Sequence, residues 1–210
     1  MPIRHFRWSV PLVLLLLLAA CSDSPDPWSR IQNPPLIQGK LHTVTIVGDS
    51  SRAQELALAA GYSALPLRPN YPASVRVEAS LWDVPAPVAE NARMFEAPGE
   101  SPDLRMLEMP LAARGIGADD HSERSFYRNV LGTEVPKWPA EFAGAPELRV
   151  RAWTFVVPSV VEASKHLREN GIAVIYDAVG ITTPYLGDHK TMAIRAPDGT
   201  IVQLVETATR

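Results

Sequence analysis

The sequence predicts an α+β fold: two βαβββ modules pairing into one curved mixed sheet around a cleft, with the helices on the outside. Three observations predict it. The stretch from Ile194 to Glu206 reads strand, turn, strand, and its Asp198-Gly199 pair is a strong hairpin signal, because glycine supplies positive φ without steric cost. Residues 91–108 repeat the form, with Ala97-Pro98-Gly99 before the turn, and both units end in an apolar pair followed by glutamate. Val47 and Val157 lie 110 residues apart, as do Gly61 and Gly171, so one offset holds over strand, cap and helix.

The first module spans 41–109. Leu41 to Val47 alternates and is rich in β-branched residues, which reads as a strand. Gly48 to Ser51 supplies a turn and an N-cap. Arg52 to Ala60 consists of strong helix formers, with Ala53 and Ala57 one turn apart, and Gly61 closes it. Ser74–Trp82, Ala92–Glu96 and Leu104–Met109 are expected as three further strands. The second module spans 149–210. Arg151 to Val157 is a strand, and Ser159 with Glu162 forms a capping box. Val160 to Asn170 is a helix with Val160, Ala163 and Leu167 on one side. Ile172–Tyr176, Thr191–Arg195 and Ile201–Glu206 complete the copy. Between the modules, 110–148 reads as a linker or insertion. It holds a helix over Ser122–Gly132 whose face of Phe126, Val130 and Leu131 predicts docking.

Residues 1–20 read as an address. Arg4 and Arg7 precede an apolar run from Val10 to Leu18, which is too short to span a bilayer in a mature chain. Leu18-Ala19-Ala20-Cys21 resembles a bacterial lipobox, which implies cleavage before Cys21 and lipid on that residue. Cys21 is the only cysteine, so no internal disulfide can form. The expected localisation is export, with lipid anchoring to the envelope. Ser22 in place of an aspartate favours the outer membrane facing the periplasm, by resemblance to Gram-negative sorting rules. Residues 21–40, rich in proline, read as a flexible tether, with Trp28 and Ile31 as simple linker residues or, alternatively, in contact with lipid or the domain. Without residues 1–20 the chain carries 18 basic against 23 acidic side chains, which argues against nucleic acid as a partner.

The module order and the Ala-Pro-Asp-Gly hairpin ending in Leu204-Val205-Glu206 resemble the vicinal oxygen chelate superfamily: glyoxalase I, bleomycin-resistance proteins and extradiol dioxygenases. Phe126-Tyr127 with Val130-Leu131-Gly132 is also similar to a helix signature of that superfamily. The resemblance implies a metal held by a histidine early in the first strand of a module and a glutamate in its last. Here His42 matches one such position, while Ala152, Arg105 and Gln203 occupy the other three. A methyl group cannot ligate, a guanidinium repels a cation, and an amide is a poor ligand. No cofactor is therefore expected, and a divalent metal is disfavoured; His42 with His189 is the remaining candidate pair. Glu108 and Glu206 stand three residues beyond Arg105 and Gln203, so period-two alternation turns them away from the cleft.

By alternation the cleft face should carry His42, Val44 and Ile46 or their neighbours. His42, Arg105, Trp153 (or Thr154), Tyr176 and Gln203 are the candidate ligand-binding residues, an apolar cleft with polar anchors. Arg105 suits a ligand carboxylate or enolate, and His42 is the candidate catalytic residue. The expected function is an envelope-anchored, glyoxalase-like protein that binds a small molecule without the usual metal. Two alternatives stay open. One is a lyase, isomerase or dioxygenase-like enzyme of the superfamily with His42 as acid–base group or metal anchor. The other is a scaffold in an envelope complex that uses 110–148. Completion of the cleft by a second chain, as a homodimer, also stays open.

Overall fold

The computed structural model describes residues 26–28, 31, 41–66, 72–111, 120–183 and 186–207. Cys21, the apolar leader and most of the tether lie outside them. Strand β1 (Leu41–Gly48) runs into helix α1 (Ser50–Ala59), and the second module repeats the step. The Asp49 carboxylate caps α1 by accepting from the amides of Ser51 and Arg52. The N–H of Ala53 donates to the Asp49 carbonyl, as Ala163 donates to Ser159; Tyr62 donates to Ala57, as Ile172 donates to Leu167. The last two bonds close the helices through Gly61 and Gly171, whose φ of 87° and 74° glycine adopts without strain. Each pair keeps the sequence offset, so the duplication extends to backbone hydrogen bonding.

β2 (Ser63–Ala64), β3 (Arg93–Glu96) and β4 (Asp103–Glu108) belong to the first module. β5 (Leu148–Val156), β6 (Val174–Thr183), β7 (Gly187–Arg195) and β8 (Ile201–Thr207) belong to the second. They form one eight-stranded mixed sheet in the order β2-β3-β4-β1-β5-β8-β7-β6. β1 pairs parallel with β4 and β5 parallel with β8, and the modules join where β1 meets β5 antiparallel. Reading outward from that seam, each half has the same strand sequence. This is the paired-module architecture expected from the repeat.

The first module departs from expectation at Ser74–Trp82. That stretch is helix α2 (Pro72–Trp82), not a strand. It fits both periods: Val75, Val77, Ala79 and Leu81 alternate, but Val75, Glu78, Ala79 and Trp82 recur at helical spacing. Burial follows the second pattern, with Glu78, Ala79, Leu81 and Trp82 covered and Arg76 and Ser80 exposed. The strand of this position shrinks to the two residues of β2. Helix α3 (Ala86–Glu90) follows.

Two cores lie on the two faces of the sheet. The outer core gathers Val44, Ile46, Leu104, Trp153, Phe155 and Leu204 with Ala53 and Ala57 of α1. Helix α4 (Asp120–Ser125), continued by a π-helix (Phe126–Leu131), docks there, as does α5 (Val160–Glu169) through Val160, Ala163 and Leu167. Gly132 ends the π-helix at φ 74°. The inner core sets Val75, Ala79 and Trp82 of α2 and Ala89 of α3 against Val47, Leu107, Ala152, Ala193 and Ile201 of the sheet. The expectation that every helix lies outside therefore fails for α2 and α3, which cover the inner face.

Of the two readings of Trp28 and Ile31, contact with the domain is the one seen: both pack against the outer core rather than serving as plain linker. The Trp28 indole N–H donates to Ser122 Oγ at 3.3 Å, and its ring meets Phe126 edge-on at 5.3 Å. Among the described residues no helix is long and apolar enough to cross a membrane.

Candidate functional site

Strand alternation decides which side chains face α2. Register places Thr45 beside both Arg105 and Ala152, and links Thr43 to Thr154 and Thr154 to Gln203. These residues, with Thr191 and His189 of β7, are all buried. Val44 and Ile46 point the other way, into the outer core, so their neighbours Thr43 and Thr45 line the inner face. Trp153 is paired with Val44 and Val202 and shares their core, which turns it away from the expected cleft. Thr154, its named alternative, is on the inner side. Tyr176 packs against the inner core, beside Ala193.

Gln203 organises the centre. Its Oε1 accepts from the Trp82 indole N–H at 3.1 Å and from the Thr154 hydroxyl at 3.0 Å. Its Nε2 donates to Thr191 Oγ1 at 3.0 Å, and that hydroxyl donates to the Leu204 carbonyl at 3.1 Å. Arg105 donates through Nη1 to Thr45 Oγ1 at 3.2 Å and lays its guanidinium 4.0 Å over the Trp82 ring. The far end of α2 is held by ion pairs: Asp83 Oδ2 meets Arg151 at 2.8 Å and Arg195 at 2.9 Å.

Ionisable groups gather towards the other end. Glu78 of α2 is 1% exposed, Arg105 3% and His189 5%. His189 Nδ1 lies 3.0 Å from the Gly187 carbonyl, which can only accept, so Nδ1 carries the proton. In the neutral ring Nε2 is then a bare lone pair; it is buried, with no hydrogen-bond partner among the described residues. Burial holds the His189 pKa below the ordinary histidine value, with Arg105 acting in the same sense, against the Gly187 hydrogen bond, Glu78 and Asp188. His42 is half-buried, at a register shift between Leu41 and Thr43, with Nδ1 2.7 Å from Thr43 Oγ1. Its pKa is also lowered, first by burial and then by Arg105 and His189, against Asp103. The two imidazoles thus share one electrostatic neighbourhood with Arg105.

The residues at the positions where the sequence resemblance implies metal ligands do not suit a divalent ion. Arg105 brings positive charge, Ala152 brings no donor, and the Gln203 carbonyl oxygen already accepts two hydrogen bonds. Among the described residues no three His, Cys, Asp or Glu side chains converge as a metal site. Glu108 and Glu206 serve the helices instead: Glu108 Oε2 accepts from Ser50 Oγ at 2.7 Å, and Glu206 Oε2 from the Val160 amide at 2.8 Å. Sequence reasoning missed Glu78 and Trp82, because both belong to the helix read as a strand. The recurrence of Val75, Ala79 and Trp82 was the signal that would have found them.

No family model matches this chain, and no curated relative does. Among solved structures it is similar to methylmalonyl-CoA epimerase from Mycobacterium tuberculosis, at 16% identity and TM-score 0.47, covering 86% of this chain and 95% of that one. A Streptomyces coelicolor methylmalonyl-CoA epimerase in complex with 2-nitronate-propionyl-CoA matches at 16% identity and TM-score 0.44, covering 81% and 98%. A hypothetical protein from Bacillus halodurans C-125 matches at 14% identity and TM-score 0.44, covering 81% and 96%. The strand order and register of this chain, rather than these likenesses, define its fold.

Proposed function

We propose that this chain is an envelope-anchored, glyoxalase-like binding protein that takes a small polar molecule on its inner sheet face, beneath α2, without the metal usual in the superfamily. One observation carries the reading. Glu78 of α2 is buried together with Arg105 and His189 of the sheet beneath it, beside threonines and Gln203 set among apolar residues. Burying such groups costs stability unless they are fully bonded, and among the described residues His189 Nε2 has nothing to accept. A ligand that donates a hydrogen bond to that nitrogen, through a hydroxyl or an amine, satisfies it. Half-buried His42 marks the end through which such a molecule enters, and α2 covers the face when no ligand is bound.

The test is a thermal-unfolding screen of the mature chain against small hydroxylated and amino compounds, followed by isothermal titration of the hits. Binding is expected to weaken at least tenfold, about 1.4 kcal/mol, in His189→Phe. Glu108→Gln, at the end of β4 where the side chain accepts from Ser50, should leave it unchanged. A screen without hits, or hits indifferent to His189, removes the reading and favours a scaffold that uses 110–148.

A catalytic version of the same site is favoured by the tautomer of His189. A neutral imidazole held through Nδ1 presents Nε2 as a proton acceptor. His189, rather than His42, is then the general base, and turnover would disappear in His189→Gln while hydrogen-bonded binding is largely kept.

A further inference from the structure

The docking of Trp28 fixes how far the domain can stand from its anchor. As sequence, 21–40 is a tether of twenty residues ahead of β1, with an extended reach of about 65–70 Å. A domain of this size is about 40 Å across, so such a tether would let it turn freely. The structure shortens the leash. Trp28 is held by Ser122 and Phe126, Ile31 packs on the same core, and Asp26 Oδ2 lies 3.8 Å from His121 Nε2. From Cys21 to Trp28 the sequence runs only seven residues, whose greatest extended length is about 25 Å. That is shorter than the domain is wide.

We propose that the lipid bilayer is the partner of the face formed by α4 and the π-helix, and that the short leash holds this face against it. The proposal rests on the reading of Cys21 as a lipid anchor. Its consequence concerns the binding face. Trp28 joins the outer core, whereas α2 lies across the sheet on the inner core. The covered face under α2 is therefore turned away from the membrane and samples the aqueous compartment. Its ligand arrives from water, not from the lipid phase.

The experiment uses the full chain, processed and lipidated, in vesicles of phosphatidylethanolamine and phosphatidylglycerol. A fluorophore is placed through Arg128→Cys on the π-helix or Ser80→Cys on α2, both exposed positions. Nitroxide on the lipid headgroups should quench the Arg128→Cys label several-fold more than the Ser80→Cys label. Inserting about twenty Gly/Ser residues after Ser24 leaves the folded part untouched and should level the two. Trp28→Ala should level them in part. Equal quenching with the natural leash, in protein that floats with the vesicles, overturns the orientation alone. Protein that does not float, or whose intact mass carries no acyl groups, overturns the anchoring reading and the orientation together.

Discussion

The two faces of the sheet are built from alternate residues of the same strands, yet they differ in kind. Outward, β1 presents Val44 and Ile46, β5 presents Trp153 and Phe155, and β8 presents Val202 and Leu204. Inward, the same strands present Thr43, Thr45 and Val47, Ala152 and Thr154, and Ile201 and Gln203. Both sets are buried to the same degree. Stability alone favours aliphatic side chains on both sides, since a buried hydroxyl or amide gains little even when bonded and costs much when not. The outer face is thus the fold's own requirement. The inner face keeps a polar cluster within its apolar core that folding does not ask for, under a helix with no counterpart among the described residues of the second module.

The comparison breaks most easily at Phe155 and its neighbour Thr154. Phe155→Ala should cost about 3–5 kcal/mol in denaturant unfolding, by lost transfer energy and the cavity left among Val44 and Leu204. Thr154→Ala removes one hydrogen bond to Gln203 and should cost about 1–2 kcal/mol. Equal losses would mean that the polar face is an ordinary core after all.

Next in size is Gln203→Leu. It leaves the Trp82 indole N–H and the Thr154 hydroxyl buried without their acceptor, at about 2–3 kcal/mol in total. Trp82 fluorescence should shift if the loosened end of α2 admits water. A stable Gln203→Leu protein with unmoved emission would show that apolar packing, not the Gln203 network, seats the helix.

How much of this was legible in the sequence follows the same division. The outer face announces itself: β-branched alternation, the Asp198-Gly199 turn and the Gly61 and Gly171 caps are local signals, and each sits where its chemistry requires. The inner face depends on partners distant in the chain. Ser74–Trp82 alternates well enough to pass for a strand, and only the sheet surface it lies on selects the helix. Trp153 and Thr154 were separated by one residue of register, which alternation alone leaves open until β1 and β5 are paired. Arg105 and Gln203 were named because the family resemblance pointed at their positions, not because of any local signal. Glu78 and Trp82 have no counterpart in the second module to point at them.

pH sharpens the comparison, since the outer core holds no comparable pair of imidazoles. His42 and His189 both have folded-state pKa values lowered, chiefly by burial. The unfolded chain therefore binds protons first. Stability should be level above the unfolded histidine pKa, about 6.5, and decline as pH falls below it towards the folded values. Urea unfolding at a series of pH values between about 7.5 and 5 measures the slope. His189→Gln should flatten it in part, leaving the share of His42. A slope that persists unchanged in that variant assigns the proton uptake to groups other than His189.

The smallest effect belongs to the exposed end of α2. Asp83 bridges Arg151 and Arg195, but its side chain is 56% exposed and that of Arg195 43%, so water and salt screen both pairs. Its pKa is lowered, first by the hydrogen bond from Arg195, so the contribution exists above the unfolded carboxylate value and fades in acid as the folded value is passed. Exposed pairs of this kind contribute about 0–1 kcal/mol. Asp83 also sits at φ 51°, a conformation that favours glycine. Asp83→Gly exchanges the two ion pairs for relief of that backbone, and its unfolding midpoint should match the parent's within about 0.5 kcal/mol. Asp83→Ala loses the pairs and keeps the strain, so it should be the less stable of the two. If Asp83→Gly instead lost as much as Gln203→Leu, the charged end, not the buried amide, would be what holds α2 over the polar face.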